Sequence, residues 1–354
     1  MATEAREMAS PQSTPDVDTS NIAEIVILDV GHGNCALLRD NDRAIVIDAA
    51  PGVTLFDELE RSGIRRIEHL VLSHADLDHM GGAIKLLWDL SIPIGTVWYN
   101  PDGTKSSKAW QRFARQMSIR AKAGDLKANL AINNMVGDSL SMGRVGIEVL
   151  HPSIEFATLG QTSYSRIGGA ITSNTLSVVV RVSLGGRPAV LLTADIDNQA
   201  FEHILTQSLD LRSEVLVFPH HGGRSGAPGK QFAAAVCQAV EPKVVIFSLG
   251  RGKHSTPDPD IVSGVRESAS GPHIACTQLS ESCRSGSSTS GDTHLSLRSA
   301  AGRAAGKCCA GTITVTLSDD GIVIDPPIAR HEEFVQLAVP TPLCKPRCRA
   351  SGDG

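Results

Sequence analysis

A chain of 354 residues, 41% hydrophobic and 20% charged, has the make-up of a water-soluble globule with a large core; with 4% aromatics, that core rests on Val, Ile, Leu and Ala. The net charge of -5 excludes a global attraction for nucleic acid or an anionic membrane, so binding of either kind needs a local basic patch. No apolar run approaches the length of a membrane-spanning helix, and Met1 to Ser20 is polar and acidic, which predicts a disordered tail over residues 1–20 and no secretory signal.

Taken in chain order, Glu24 to Val30 predicts a strand closed by the turn Gly31-His32-Gly33. Cys35 to Arg39 and Ala44 to Asp48 follow as a hairpin about Asp40-Asn41-Asp42. Thr54 to Arg61 predicts a short helix, His69 to Leu72 a buried strand, Ala83 to Leu90 a helix and Gly95 to Tyr99 a strand. Ser107 to Lys122 projects Trp110, Phe113, Ala114, Met117 and Ala121 onto one helical face and Lys108, Arg112, Arg115 and Lys122 onto the other.

The second half repeats this style. Gly146 to Leu150, Leu176 to Leu184 and Pro188 to Thr193 are predicted strands, the last two joined at Gly185-Gly186. Helices over Asn198 to Gln207 and Lys230 to Val240 separate strands over Glu214 to Phe218 and Lys243 to Leu249. Two such halves predict two sheets packed face to face with helices outside. One domain over residues 21–325 is expected, with a Ser/Gly/Cys-rich insertion at about residues 266–310. Ser285 to Gly291 within it is low-complexity. Gly311 to Leu317 and Gly321 to Ile324 predict a final hairpin about Asp319-Asp320, and residues 326–354 are expected to be a largely disordered tail.

Of 8 cysteines, Cys35 and Cys237 lie in apolar segments as core thiols, whereas Cys276, Cys283, Cys308, Cys309, Cys344 and Cys348 crowd toward the end. Without an export signal, these point to a reducing cytoplasmic location rather than a disulfide framework. Cys276, Cys283, Cys308 and Cys309, with His273 and His294, could form a zinc site, but irregular spacing favours loose thiols, and Cys344 and Cys348 are placed in the tail.

The chemistry concentrates in Ser73-His74-Ala75-Asp76-Leu77-Asp78-His79-Met80-Gly81-Gly82, four ligand-type side chains within six positions at a strand-to-helix turn. Asp can cap a helix and Gly-Gly can turn, but neither explains two histidines interleaved with two aspartates. Imidazole with carboxylate suits zinc, manganese or iron. Further polar residues close other strands: Asp195 after Leu191-Leu192-Thr193-Ala194, His220-His221 after Val215 to Phe218, Asp29 and His32 after the first strand, and Asp48 after the third.

These blocks, in this order, resemble the metallo-β-lactamase-fold hydrolases, and within them the soluble domain of ComEC-type competence proteins, over Ile22 to Leu249 and Gly311 to Asp325. The resemblance implies an α/β chain with a four-layer αββα sandwich. It also implies two divalent cations, manganese or zinc. Carried over by position, His74 and Asp76 would hold one and Asp78 and His79 the other, with Asp195 bridging and His220 completing the second site. His221 is the alternative to His220. Asp29 and Asp48 would orient loops beneath the cations, and His32 would reach substrate or shape its turn.

Two departures stand out. Asp76 occupies a position where many relatives have His, and Thr172-Ser173-Asn174-Thr175-Leu176-Ser177 supplies no imidazole where many relatives do; His151 is the nearest candidate. Oxygen for nitrogen hardens the first site, favouring manganese or magnesium over zinc and weakening it.

The implied reaction is hydrolysis by metal-activated water, oriented by Asp78, with His254 or a water as proton donor to the leaving group. The basic helix with Lys105, Lys108, Arg112, Arg115, Arg120 and Lys122 could track a phosphate backbone, so nucleic acid or another phosphodiester is the expected substrate, with Lys108, Arg112 and Arg115 contacting it. Hydrolysis of small esters, lactones or phosphocholine-type molecules, and a metal-poor binding or regulatory module, are the alternatives.

Overall fold

The computed structural model describes residues 23–166, 168–283, 292–318 and 320–345. In chain order the elements are β1 (Ala23–Ile27), β2 (Ala36–Asp40), β3 (Arg43–Ile47), α1 (Thr54–Arg61), β4 (Arg66–Val71), α2 (Leu77–Trp88), β5 (Ile94–Trp98), α3 (Lys108–Ala123) and β6 (Lys127–Asn129). There follow β7 (Val145–His151), α4 (Ile154–Leu159), β8 (Val179–Leu184), β9 (Arg187–Leu192), α5 (Asn198–Thr206), β10 (Val215–Val217), α6 (Gly229–Val240) and β11 (Val244–Phe247). The chain closes with α7 (Pro259–Arg266), β12 (His273–Cys276), β13 (Ile313–Ser318), β14 (Gly321–Asp325) and α8 (Ile328–Ala338).

Eight strands form one sheet in the order β14-β13-β1-β2-β3-β4-β5-β6, and six form the other in the order β12-β11-β10-β9-β8-β7. Period-two side-chain alternation explains the layers. Ile25 and Ile27 of β1, with Val190 and Leu192 of β9, enter the core between the sheets. Val26 and Leu28 turn outward against Leu59 of α1, Met80 of α2 and Phe113 of α3, whereas Leu191 and Leu216 meet Phe201 of α5, Val236 of α6 and Ile261 of α7. Strands buried on both faces must be apolar at every position, which is why these segments read as unbroken Val/Ile/Leu runs. This is the expected α/β, four-layer αββα architecture.

The site lies where strand directions agree. β3 and β4 run parallel, as do β9, β10 and β11, so the loops after their carboxyl ends gather at the rim where the two sheets meet.

Several elements differ from expectation. α2 begins at Leu77, not Ala83, and carries Gly81 and Gly82 inside it, Gly82 lying on the Ala49 and Ala50 backbone where a Cβ would collide. Asp78 and His79 therefore sit in its first turn. α3 begins at the predicted place, its Ser107 hydroxyl accepting from Trp110 N at 3.1 Å, and buries Phe113 and Met117 at about 1.5–3 kcal/mol each. Ala114 and Ala121 are exposed, while Arg120, expected among the phosphate-facing cations, is buried and donates to Leu87 O at 2.7 Å.

Order also appears where little was expected. β12 pairs with β11 inside the insertion, and α8 forms beyond Pro326 with His331, Val335 and Ala338 on its buried face. The low-complexity stretch Ser285 to Gly291, the tail over residues 1–20, Asp319 and Cys348 lie outside the described residues. Among the described residues no helix is long and apolar enough to cross a membrane.

Candidate metal centre

Six side chains converge at the rim in two sets. His74, His79 and Asp195 bring one ligand-type atom each within 4.8 Å of one another, and so do His32, Asp78 and His221. Backbone conformation aims several of them. Asp48, Ala194, His220 and His221 all have positive φ (56°, 47°, 52° and 54°), a left-handed geometry that costs non-glycine residues energy and recurs where function requires a particular direction.

Partners behind the rings fix their tautomers. His79 Nδ1 donates to Asp48 Oδ2 at 2.7 Å, leaving the Nε2 lone pair 3.1 Å from Asp195 Oδ1. His221 Nδ1 donates to the Ser248 carbonyl at 2.6 Å, so its Nε2 lone pair points forward, 3.5 Å from Asp195 Oδ1 and 3.7 Å from Asp78 Oδ2. The Ser73 hydroxyl donates to Asp48 Oδ2 at 2.8 Å and so accepts from His74 Nδ1 at 3.0 Å, which frees His74 Nε2. His32 Nε2 stands 3.2 Å from Asp78 Oδ2. Such outer contacts orient ligating imidazoles in metal sites.

The forward-facing atoms have nothing to bind. His74 Nε2, His79 Nε2, His221 Nε2 and Asp195 Oδ1 are buried and lack a hydrogen-bond partner. Orphaned buried polar atoms are expensive, and four around one spot is the pattern a bound cation resolves. Electrostatics agree. Burial opposes charge on Asp78, yet the neighbouring His221, His32 and His79 rings hold its carboxyl far below the usual range. Burial likewise opposes charge on Asp195, but His79 and His221 depress it. Burial disfavours a charged His79, but without a cation the carboxylates of Asp195 and Asp48 override that and raise its pKa well above 6.5, a second proton standing where a cation would bind. Clustered carboxylates here demand positive charge. Four imidazoles and two carboxylates suit zinc or manganese, so the donor set fits a divalent cation.

The placement of individual residues amends the expected pairing. His221, not His220, faces Asp195; the His220 ring turns aside, with Nδ1 3.5 Å from Asn174 Nδ2. The two consecutive left-handed residues rotate the second ring inward. Asp76 stands apart from both three-residue sets, ion-paired with Lys105, and its Oδ2 is 3.4 Å from His74 Nε2. The neighbouring His74 ring and the Lys105 ammonium, against partial burial, lower its pKa to about 2. His32, read as a turn or substrate residue, joins Asp78 and His221 because Gly33 lies on the Asp78 carbonyl and Gly250 on the His32 backbone.

Asp48 and Asp29 orient loops. Asp48 also accepts from Ser73 N at 2.8 Å, and Asp29 accepts from Gly31 N and Gly302 N, both at 3.0 Å. The imidazole-free segment supplies Ser177, whose hydroxyl lies 3.2 Å from His74 Nδ1, a contact no sequence signal marks. His151 is remote, its Nε2 donating to Thr175 O at 2.7 Å. His254 stacks near His32, ring centroids 4.1 Å apart, at the exposed mouth. Slight burial and the neighbouring His32 and Lys253 lower its pKa. Lys108, Arg112 and Arg115 are exposed on α3 and make no ion pair with a described acid.

The two-sheet sandwich has the metallo-β-lactamase fold, with imidazoles and carboxylates gathered at its rim, and the sequence of residues 28–152 matches the metallo-beta-lactamase superfamily. Within that class the chain resembles ComEC-type competence proteins. It is 27% identical over 250 residues to the competence protein ComA of Neisseria gonorrhoeae, covering 68% of this chain and 30% of that protein. It is 27% identical over 198 residues to ComE operon protein 3 of Bacillus subtilis (strain 168), covering 54% and 21% respectively. The chain thus spans less than a third of either relative. Among solved structures it is similar to the metallo-beta-lactamase fold protein YhfI from Bacillus subtilis, with 13% identity, a TM-score of 0.46, and coverage of 72% of this chain and 96% of that one.

Proposed function

We propose that this chain hydrolyses phosphodiester bonds of a nucleic acid, using two divalent cations, manganese or zinc, for which His74, His79 and Asp195 are one set of ligands and Asp78, His221 and His32 the other. The observation that carries the reading is the set of orphaned ligand atoms on His74, His79, His221 and Asp195. A cation bound there supplies a Lewis acid for the phosphoryl oxygen and brings ionisation of water toward neutral pH.

The chain's own residues do the rest. Asp78 accepts a hydrogen bond from the attacking water and orients it. Lys105, beside Asp76, meets the negative charge of the incoming phosphate. His254, over His32 at the mouth, delivers a proton to the leaving oxygen. Lys108, Arg112 and Arg115 lie on the helix that follows Lys105, and track the strand beyond the scissile bond. The name of one relative, a competence protein, agrees with a nucleic-acid substrate.

The test is incubation of the purified chain with manganese and single-stranded DNA. Cleavage is expected, and the triple variant Lys108→Ala, Arg112→Ala, Arg115→Ala should raise KM for DNA while sparing a small chromogenic phosphodiester. Each lost contact should lower the log–log salt slope by about 0.7. Intact DNA with metal demonstrably bound would refute the proposal.

A further inference from the structure

The fold treats its three tryptophans differently. Trp98 is buried and donates from Nε1 to His69 Nδ1 at 3.1 Å, and Trp110 stacks on Phe113 and meets Tyr99 edge-on. Trp88, the last residue of α2, is 66% exposed. Among the described residues, no ring contact or hydrogen bond engages its indole. A single exposed apolar side chain is ordinary on a protein surface. What sets Trp88 apart is where it stands.

β4 and β5 run parallel, so α2 and α3, which follow them, both start at the rim and run away from it side by side. Lys105, just before α3, is paired with Asp76, just before α2. At the far ends, Arg120 of α3 donates to Leu87 O of α2 at 2.7 Å. Trp88 therefore lies about 17 Å from the rim along α2, level with Ile119 and Arg120. Helical periodicity sets the direction of its ring. Lys85 leans toward α1, its Nζ 3.8 Å from the Phe56 ring centroid. Trp88 falls between Lys85 and the buried edge made by Met80 and Leu87, on the flank of α2 away from α1 and toward α3. On α3, Gln116 is half-buried on the flank it shares with Arg112 and Ile119, whereas Ala114, Ser118 and Ala121 on the opposite flank are exposed. Arg112 and Ile119 thus border α2, and Trp88 faces the same groove.

We propose that Trp88 is a base-stacking platform at the far end of a path for single-stranded nucleic acid, which leaves the rim and follows the groove between α2 and α3. The proposal rests on the nucleic-acid reading of the rim and adds to it the class of strand. Cations come first along the path, at Lys105, Lys108, Arg112 and Arg115, and meet successive phosphates. The indole then takes the face of an unpaired base, and Ile119, 49% exposed at the same level, widens the apolar floor. Every base has such a face, so the contact tolerates any sequence. A duplex keeps its base faces inside its own stack and offers this path phosphates alone. At about 3.4 Å per nucleotide, the about 17 Å from rim to indole is spanned by about five nucleotides.

Equilibrium binding of a fluorescent oligothymidylate dodecamer to the chelator-stripped full chain tests this without turnover. Trp88→Ala should weaken binding about 5–100-fold, the range for loss of one stacked base, and Trp88→Phe should restore most of it. The log–log salt slope should not change in Trp88→Ala, since no phosphate contact is lost. A dinucleotide and a twelve-base-pair duplex should not distinguish Trp88→Ala from wild type. Leu337→Ala, which removes a side chain 76% exposed on α8, should leave dodecamer binding intact. Dodecamer affinity indifferent to Trp88→Ala, equal losses for dodecamer and duplex, or no binding by the wild-type chain overturns the proposal. Binding that depends on Trp88 in a metal-loaded chain that cleaves nothing supports the path and overturns only the catalytic reading. Should Trp88→Ala fail to fold, photo-crosslinking of the wild-type chain to an iodouracil dodecamer decides. An adduct on Trp88 supports the platform; adducts confined to other residues overturn it.

Discussion

The rim and a cluster of late cysteines are both gatherings of ligand-type side chains, and they are built in opposite ways. At the rim, nitrogen and oxygen atoms are locked from behind by Asp48, Ser73 and the Ser248 carbonyl, and Asp78 remains partly open to solvent at 23% side-chain exposure. In the cluster, Cys276, Cys283, Cys309 and Cys344 pack among Leu279, Val339 and Leu343, and both groups of converging ligand atoms found among the described residues lie at the rim instead. The contrast teaches that convergence of free ligand atoms, more than the number of ligand-type residues, separates a centre suited to chemistry from a patch of core.

The largest effect belongs to the rim. Asp195→Asn or His79→Ala should reduce metal-dependent hydrolysis to background, whereas Cys283→Ser should spare it; hydrolysis that survives Asp195→Asn would break the assignment of the chemistry to the rim. Next is Asp48→Asn, which removes the acceptor behind His79 Nδ1. A loss of about 10–100-fold in metal affinity or activity is expected, read by metal titration and by kcat at saturating manganese.

A smaller effect concerns a third imidazole that no carboxylate faces. Burial, against the bond to Thr175 O, lowers His151 from 6.5 to about 4. The unfolded chain takes up this proton near pH 6.5 and the folded chain only near 4. His151 therefore contributes stability that is complete above about pH 6.5 and declines as pH falls toward 4, by on the order of 2–3 kcal/mol. Denaturant midpoints measured across that window should flatten in His151→Phe, with or without metal. Dependence of the slope on metal would mean that His151 is coupled to the rim after all.

Legibility from sequence followed locality. His74 to His79 stand out because strand and helix meet within one block, and because strand-closing Asp48 and Asp195 follow unbroken apolar runs. The choice between His220 and His221 depends on two left-handed residues, which no composition announces in a Pro-His-His-Gly turn. His32 reaches Asp78 only because Gly33 and Gly250 let three backbones touch. The thiol cluster was obscured because its members span four segments, and Cys344 lies in a stretch rich in Pro and Arg that suggested disorder. α8 was legible in principle, since His331, Val335 and Ala338 repeat at helical spacing.

The most direct test is hydrolysis of single-stranded DNA by the chelator-stripped chain before and after graded addition of manganese or zinc, with bound metal measured alongside. Activity should be absent at first, rise in proportion to metal retained at the rim, and fail to return in Asp195→Asn. DNA hydrolysis that persists in the stripped chain, or a metal-loaded chain that leaves DNA intact, would contradict it.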